Sequence, residues 1–158
     1  MLNRDTIVEF LNSELQVKGY PDSSLNGLQF EGSSNITKVA VAVDSGLAVI
    51  KKAIEAGAQF LIVHHGLFLE KAFCITGANK EIFELLVKHN LNLYAVHLPL
   101  DSHQQYGNNF CLARVLGLEQ IRPAINYLGK TVGCVATNSK RDSLTEIVNK
   151  LEKVFNCL

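Results

Sequence analysis

The sequence predicts an α/β fold: βαβ units with a largely parallel sheet and helices on both faces. Two observations carry the prediction. Lys38-Val39-Ala40-Val41-Ala42-Val43 and Phe60-Leu61-Ile62-Val63 are short, β-branched or apolar runs, the kind found in parallel strands buried on both faces. Between them Leu47, Ile50, Ala53 and Ile54 line one face of a helix that Gly57 closes. Strand, helix and strand within about twenty-five residues form a βαβ unit with a right-handed crossover.

The elements follow in order. Ile7, Val8, Phe10, Leu11 and Leu15 recur at helical spacing over residues 5–17, and Gly19-Tyr20-Pro21-Asp22 stops that helix. Residues 23–32 are polar and irregular, with Leu25, Leu28 and Phe30 between turn-forming ends, and read as a packed loop. After the βαβ unit, Ile82, Phe83, Leu85 and Leu86 mark a helix over 80–89, and residues 91–96 form the next strand. A helix over 109–116 ends at Gly117, and residues 131–137 read as a strand. Ser143-Leu144-Thr145-Glu146 opens the final helix as a capping box. Leu144, Ile147, Val148, Leu151, Val154 and Phe155 form its apolar face. The division expected is a first α/β lobe over 1–126 and the start of a second over 127–158. The second lobe is expected to be incomplete, because another strand would follow the final helix in this rhythm; the alternative is that this helix closes the domain.

Composition bounds the function. The 158 residues are 47% hydrophobic and 19% charged, enough for a substantial core and far from a disordered composition. Fifteen Lys and Arg balance fifteen Asp and Glu, so binding of nucleic acid or anionic lipid by bulk charge is not expected. No apolar run approaches the ~18 residues of a membrane span, and the first residues lead into an amphipathic segment, not a signal-peptide core. Cys74, Cys111, Cys134 and Cys157 are widely spaced and fit free thiols in a reducing, cytoplasmic setting.

Chemistry in an open α/β sheet gathers at the carboxyl ends of its strands. Asp44 follows the first strand, His64 and His65 the second, and His97, Asp101 and His103 the third. Neutral imidazoles with a carboxylate are ligands for zinc, iron, manganese, cobalt or nickel. Neighbours on a strand point to opposite faces. His64 and His65 therefore meet one ion only if the chain turns at Gly66, or else serve two different ions. Asp44 has two readings, a helix cap or turn former and a group beside the site. Asn26 and Gln29 read as loop-fixing. There is no Gly-rich phosphate loop, GxSxG elbow or CxxC pair.

Asn26-Gly27-Leu28-Gln29, the strand ending in His64-His65-Gly66, and His97-Leu98-Pro99-Leu100-Asp101 followed by Gly107-Asn108-Asn109 occur in that order. Together they resemble the Nif-three-like dinuclear-metal family, the type 2 GTP cyclohydrolase I homologues. The likeness runs from residue 1 to about residue 120, with a looser match beyond. The resemblance implies a toroidal homo-hexamer with two metal ions per subunit. It makes His64, His65 and Asp101 ligands and His97 a site residue of unassigned role; His97, with Asp44 and His103 by their positions after the strands, is expected around the ligands or against substrate. No catalytic residue is assigned. The family's further His and Glu, in a carboxyl-terminal HxxxE motif, have no counterpart after Asp101, so the chain reads as lacking the last third of a typical member. One weakly held ion, or none, is then expected. The implied function is metal-dependent hydrolysis of a nucleotide or phosphoester; the alternative is a non-catalytic metal-binding scaffold or regulatory protein. No membrane partner is expected.

Overall fold

The computed structural model describes residues 1–69 and 72–155. It separates into two compact units, Met1–His97 and Leu98–Leu158. The units part at the end of a strand, well before the boundary expected between 126 and 127. The reason is local: the sheet of the first unit is complete once its last strand is laid down, and the next two helices pack with the hairpin that follows them.

The first unit opens with β1 (Leu2–Asn3) and α1 (Arg4–Glu14), whose start is capped by the Asn3 side chain accepting from the Asp5 amide at 2.7 Å. A 3₁₀ turn over Val17–Gly19 follows. Then come β2 (Gly27–Phe30), β3 (Asn35–Ile36), β4 (Val39–Asp44), α2 (Leu47–Glu55), β5 (Phe60–His65), α3 (Gly77–His89) and β6 (Asn92–Ala95). The main sheet runs β2-β6-β5-β4. β4, β5 and β6 are parallel, as the βαβ pattern requires, and β2 joins antiparallel to β6. β1 and β3 form a separate antiparallel pair. Leu61, Val63, Leu93 and Ala95 alternate onto one sheet face and pack with Ile50 and Ala53 of α2 and Ile82 and Leu86 of α3. The intervening Phe60 and Tyr94 meet on the other face, where the Tyr94 hydroxyl donates to Asn12 of α1 at 2.9 Å. Helices therefore cover both faces.

Buried Asn92 ties the sheet to the loop before β3. Its amide donates to the carbonyls of Ser33 and Gln59, both at 2.8 Å, and accepts from the Gly32 amide at 2.8 Å. Gly32 is obligatory at this crossing, since a Cβ would stand 2.2 Å from the Asn90 carbonyl oxygen.

Two expectations for this unit are corrected. The first strand of the βαβ unit is not buried on both faces. β4 is the sheet edge, and Val39, Val41 and Val43 are 44%, 76% and 62% exposed, while Ala40 and Ala42 pack inward. Residues 23–32 are also not wholly irregular, because residues 27–30 form β2, with a register break between Leu28 and Phe30.

The second unit holds α4 (Leu98–Ser102), α5 (Asn108–Val115), β7 (Glu119–Tyr127), β8 (Lys130–Thr137) and α6 (Leu144–Phe155). The segment after β6, expected as a loop, turns directly into α4. β8 is not a further parallel strand but pairs antiparallel with β7. The hairpin turns at Leu128-Gly129, both at positive φ, and the Asn126 side chain accepts from the Gly129 amide at 3.0 Å. The capping box forms: the Ser143 hydroxyl accepts from the Glu146 amide at 3.3 Å, and the Glu146 carboxylate accepts from the Ser143 amide at 2.7 Å. Along α6, Leu144, Val148, Val154 and Phe155 are exposed. Cys74, Cys111 and Cys134 are free thiols, and Cys157 lies outside the described residues. Among the described residues no helix is long and apolar enough to cross a membrane.

Candidate metal centre

The parallel register brings chemistry to one end of the first unit's sheet. Asp44 ends β4 directly opposite His65 at the end of β5. Val63 pairs with Ala95, and the ladder continues as the Val96 amide donates to the Val63 carbonyl at 3.0 Å. His97 thus leaves β6 beside the histidine pair. The ring centroids stand 4.6 Å apart for His64 and His65, 4.9 Å for His64 and His97, and 5.6 Å for His65 and His97. One ligand nitrogen from each ring lies within 4.8 Å of the others. Three imidazoles this close together form a group that could hold a metal ion.

Each ring is also oriented. His64 Nδ1 lies 3.1 Å from the Val96 carbonyl oxygen, His65 Nδ1 2.7 Å from Asp44 Oδ1, and His97 Nδ1 2.9 Å from Asp22 Oδ1. A carbonyl or an ionised carboxylate only accepts, so all three rings donate from Nδ1, and in the neutral form of such a ring the lone pair is on Nε2. Backbone carbonyls and carboxylates on the far nitrogen are the usual companions of metal-binding imidazoles, fixing tautomer and ring direction. The donor set therefore fits a divalent transition metal.

The turn after the histidine pair is braced from β2. Gln29 Oε1 accepts from the Leu67 amide at 2.7 Å, and Gln29 Nε2 donates to the Leu25 carbonyl at 2.8 Å. Gly66 lies so close beneath this side chain that a Cβ would stand 2.4 Å from its amide and 2.5 Å from the Ala95 Cβ. Asn26 secures the other histidine loop, its Oδ1 accepting from the His97 amide at 2.7 Å. The loop-fixing parts read for Asn26 and Gln29 have these contacts as their physical content.

The remaining candidates lie in the second unit. Asp101 sits on α4, where Oδ1 accepts from Asn108 at 2.9 Å and its backbone carbonyl accepts from Asn109 at 3.1 Å. His103 stacks on Tyr106 at 5.2 Å, and its Nδ1 accepts from the Tyr106 amide at 3.1 Å. Asp22, which sequence reasoning passed over as part of a helix stop, has an almost wholly buried side chain, 2% exposed, against His97. Its only sequence signal was its place just ahead of the Asn26-Gly27-Leu28-Gln29 run.

The fold and the imidazole cluster define an α/β protein with a candidate metal centre at the strand ends of a parallel sheet. Residues 2–158 match the family described as Duf34/NIF3 (NGG1p interacting factor 3), and the chain belongs to that family. A relative from Deinococcus radiodurans, named GTP cyclohydrolase 1 type 2 homolog, is 38% identical over 153 residues, 97% of this chain and 58% of its own length. A Pyrococcus horikoshii protein of the same name is 44% identical over 135 residues, 85% of this chain and 54% of its own. Among solved structures, TTHA1606 from Thermus thermophilus superposes with a TM-score of 0.89 at 41% identity, covering 98% of this chain and 62% of that one. Reduced HcgD from Methanocaldococcus jannaschii gives a TM-score of 0.75 at 26% identity, covering 96% and 60%. The chain thus spans less than two thirds of the length of these relatives.

Proposed function

We propose that this chain holds a divalent transition-metal ion on His64, His65 and His97 and that the ion serves hydrolysis of a nucleotide or phosphoester. The observation that carries the reading is the convergence of three imidazoles, each held at Nδ1 by an acceptor. A bound ion of this class supplies Lewis acidity and lowers the pKa of a coordinated water. The chain's own part is to orient the rings: Asp44 holds His65, Asp22 holds His97, and the Val96 carbonyl holds His64. Asp101 stays a candidate ligand on the family resemblance alone. The substrate class rests on the name that the relatives carry, GTP cyclohydrolase 1 type 2 homolog.

Elemental analysis of purified protein tests the binding half. Stoichiometric metal in the wild type and its loss in His64→Ala and His97→Ala support the assignment; equal metal in all three would refute it. Assays of the metal-loaded protein with GTP and generic phosphoesters test the catalytic half, and silence on all of them favours the non-catalytic scaffold. Assembly into a six-membered ring, which the resemblance implies, belongs to the same proposal. Light scattering reads it, and a monomer at every concentration would remove it.

A further inference from the structure

We infer that Asp22 is a positioning residue for the centre, fixing the tautomer and direction of the His97 ring so that Nε2 faces the other two imidazoles. The inference rests on the metal-binding reading and deepens it. Three observations carry it. Asp22 Oδ1 accepts a hydrogen bond from His97 Nδ1 at 2.9 Å, across 75 residues of sequence. The Asp22 carboxylate is itself fixed, with Oδ1 accepting from the Ser24 amide at 3.0 Å and Oδ2 from Asn26 Nδ2 at 2.8 Å. Asn26 closes the circuit by accepting the His97 backbone amide at 2.7 Å.

The result is a clamp on one residue at two points, ring and backbone, by two side chains that also hold each other. The contrast with Asp44 sets its importance. Asp44 is 65% exposed and grips His65 from solvent, whereas the Asp22 side chain is 2% exposed. A buried carboxylate is retained in a fold only where its lone pairs are occupied, and here its partners include two loop donors and a candidate metal ligand. It has two effects on His97. The proton stays on Nδ1, and the nearby negative charge makes Nε2 a better donor to a cation.

The test uses the full chain with ¹⁵N-labelled histidine, and compares wild type, Asp22→Asn and Asp22→Ala. Long-range ¹H–¹⁵N spectra of the metal-free protein at about pH 8, above the ordinary imidazole range, report which ring nitrogen of His97 carries hydrogen. Chelator competition with Zn²⁺ reports affinity. The wild type is expected to show the Nδ1–H form. Asp22→Ala is expected to mix the tautomers and to lose about 10–100-fold in Zn²⁺ affinity. Asp22→Asn keeps an acceptor but not the charge, so it should retain the Nδ1–H form with an intermediate affinity loss of about threefold. That graded order is not what mere loosening of the loop would produce. Equal affinity and unchanged His97 nitrogen signals in Asp22→Ala would overturn the inference. If Asp22→Ala fails to fold, wild-type affinity in Asp22→Asn overturns it. Absence of Zn²⁺ binding by the wild type would remove the metal reading, while the tautomer spectra of the metal-free protein would still decide what Asp22 does.

Discussion

Replacing Gly66 by alanine probes the brace beneath the histidine pair. The added Cβ would fall 2.4 Å from both the nitrogen and the oxygen of the Gln29 amide and 2.5 Å from the Ala95 Cβ. Gln29 can move, but only by giving up its bonds to the Leu67 amide and the Leu25 carbonyl. Two such bonds at about 0.5–1.5 kcal/mol each are lost. Residual crowding against Ala95, which lies in the packed sheet, adds about 1–3 kcal/mol. The expected destabilisation is therefore about 2–6 kcal/mol, a shift of about 1–3 M in the urea midpoint at an m-value of about 2 kcal/mol/M. Gly46→Ala is the matched control, since no heavy atom lies within 4 Å of its added Cβ. It should cost less than about 1 kcal/mol, as expected for a helix cap without a side-chain bond. In the Gln29→Ala background the Gly66→Ala penalty should shrink by at least about 1 kcal/mol, because the clash partner is gone. A Gly66→Ala protein as stable as the wild type, or a penalty unaffected by Gln29→Ala, would refute the brace.

Asn92→Ala strands the Gly32 amide and the Ser33 and Gln59 carbonyls, and should cost about 2–4 kcal/mol in urea titration. Burial pushes the Tyr94 phenol well above the ordinary tyrosine range. The folded state resists its ionisation, so stability should hold below about pH 10 and fall as pH rises beyond it. Tyr94→Phe should flatten that alkaline loss in pH-dependent melting. The Glu146 carboxyl is held below its usual range chiefly by the Ser143 amide and then by its hydroxyl. The cap it contributes is present above the unfolded carboxylate pKa and is lost as pH falls through the lowered folded value. Far-UV circular dichroism should show helix loss on acidification that Glu146→Gln reduces, and an identical acid profile in both proteins would refute the cap. Ser143→Ala should weaken α6 at neutral pH by about 1 kcal/mol.

The βαβ core was legible because its determinants are local. The valine-rich run of β4, the apolar run of β5 and the one-sided face of α2 each announce themselves within ten residues. Which face of β4 is covered was not legible, since Val39, Val41 and Val43 match a buried strand in type and differ only in what packs on them. β2 escaped notice because Gly27-Leu28-Gln29-Phe30 is short, begins at a turn and gains its identity from β6, far along the chain. β7 was concealed by Pro123, which reads as a breaker in the sequence and is tolerated in a two-stranded ribbon. At the site, the histidines were legible from residue type and position after a strand. His97 as a member of the cluster follows from the β5–β6 register, and Asp22 from a tertiary contact that no spacing encodes.

Zinc-edge X-ray absorption of the zinc-loaded chain tests the central claim most directly, because it counts ligands by type. The account predicts a nitrogen or oxygen shell at about 2.0–2.1 Å with outer-shell scattering from three imidazoles, falling to two in His97→Ala. A sulfur shell at about 2.3 Å, or fewer than three imidazoles in the wild type, would contradict it.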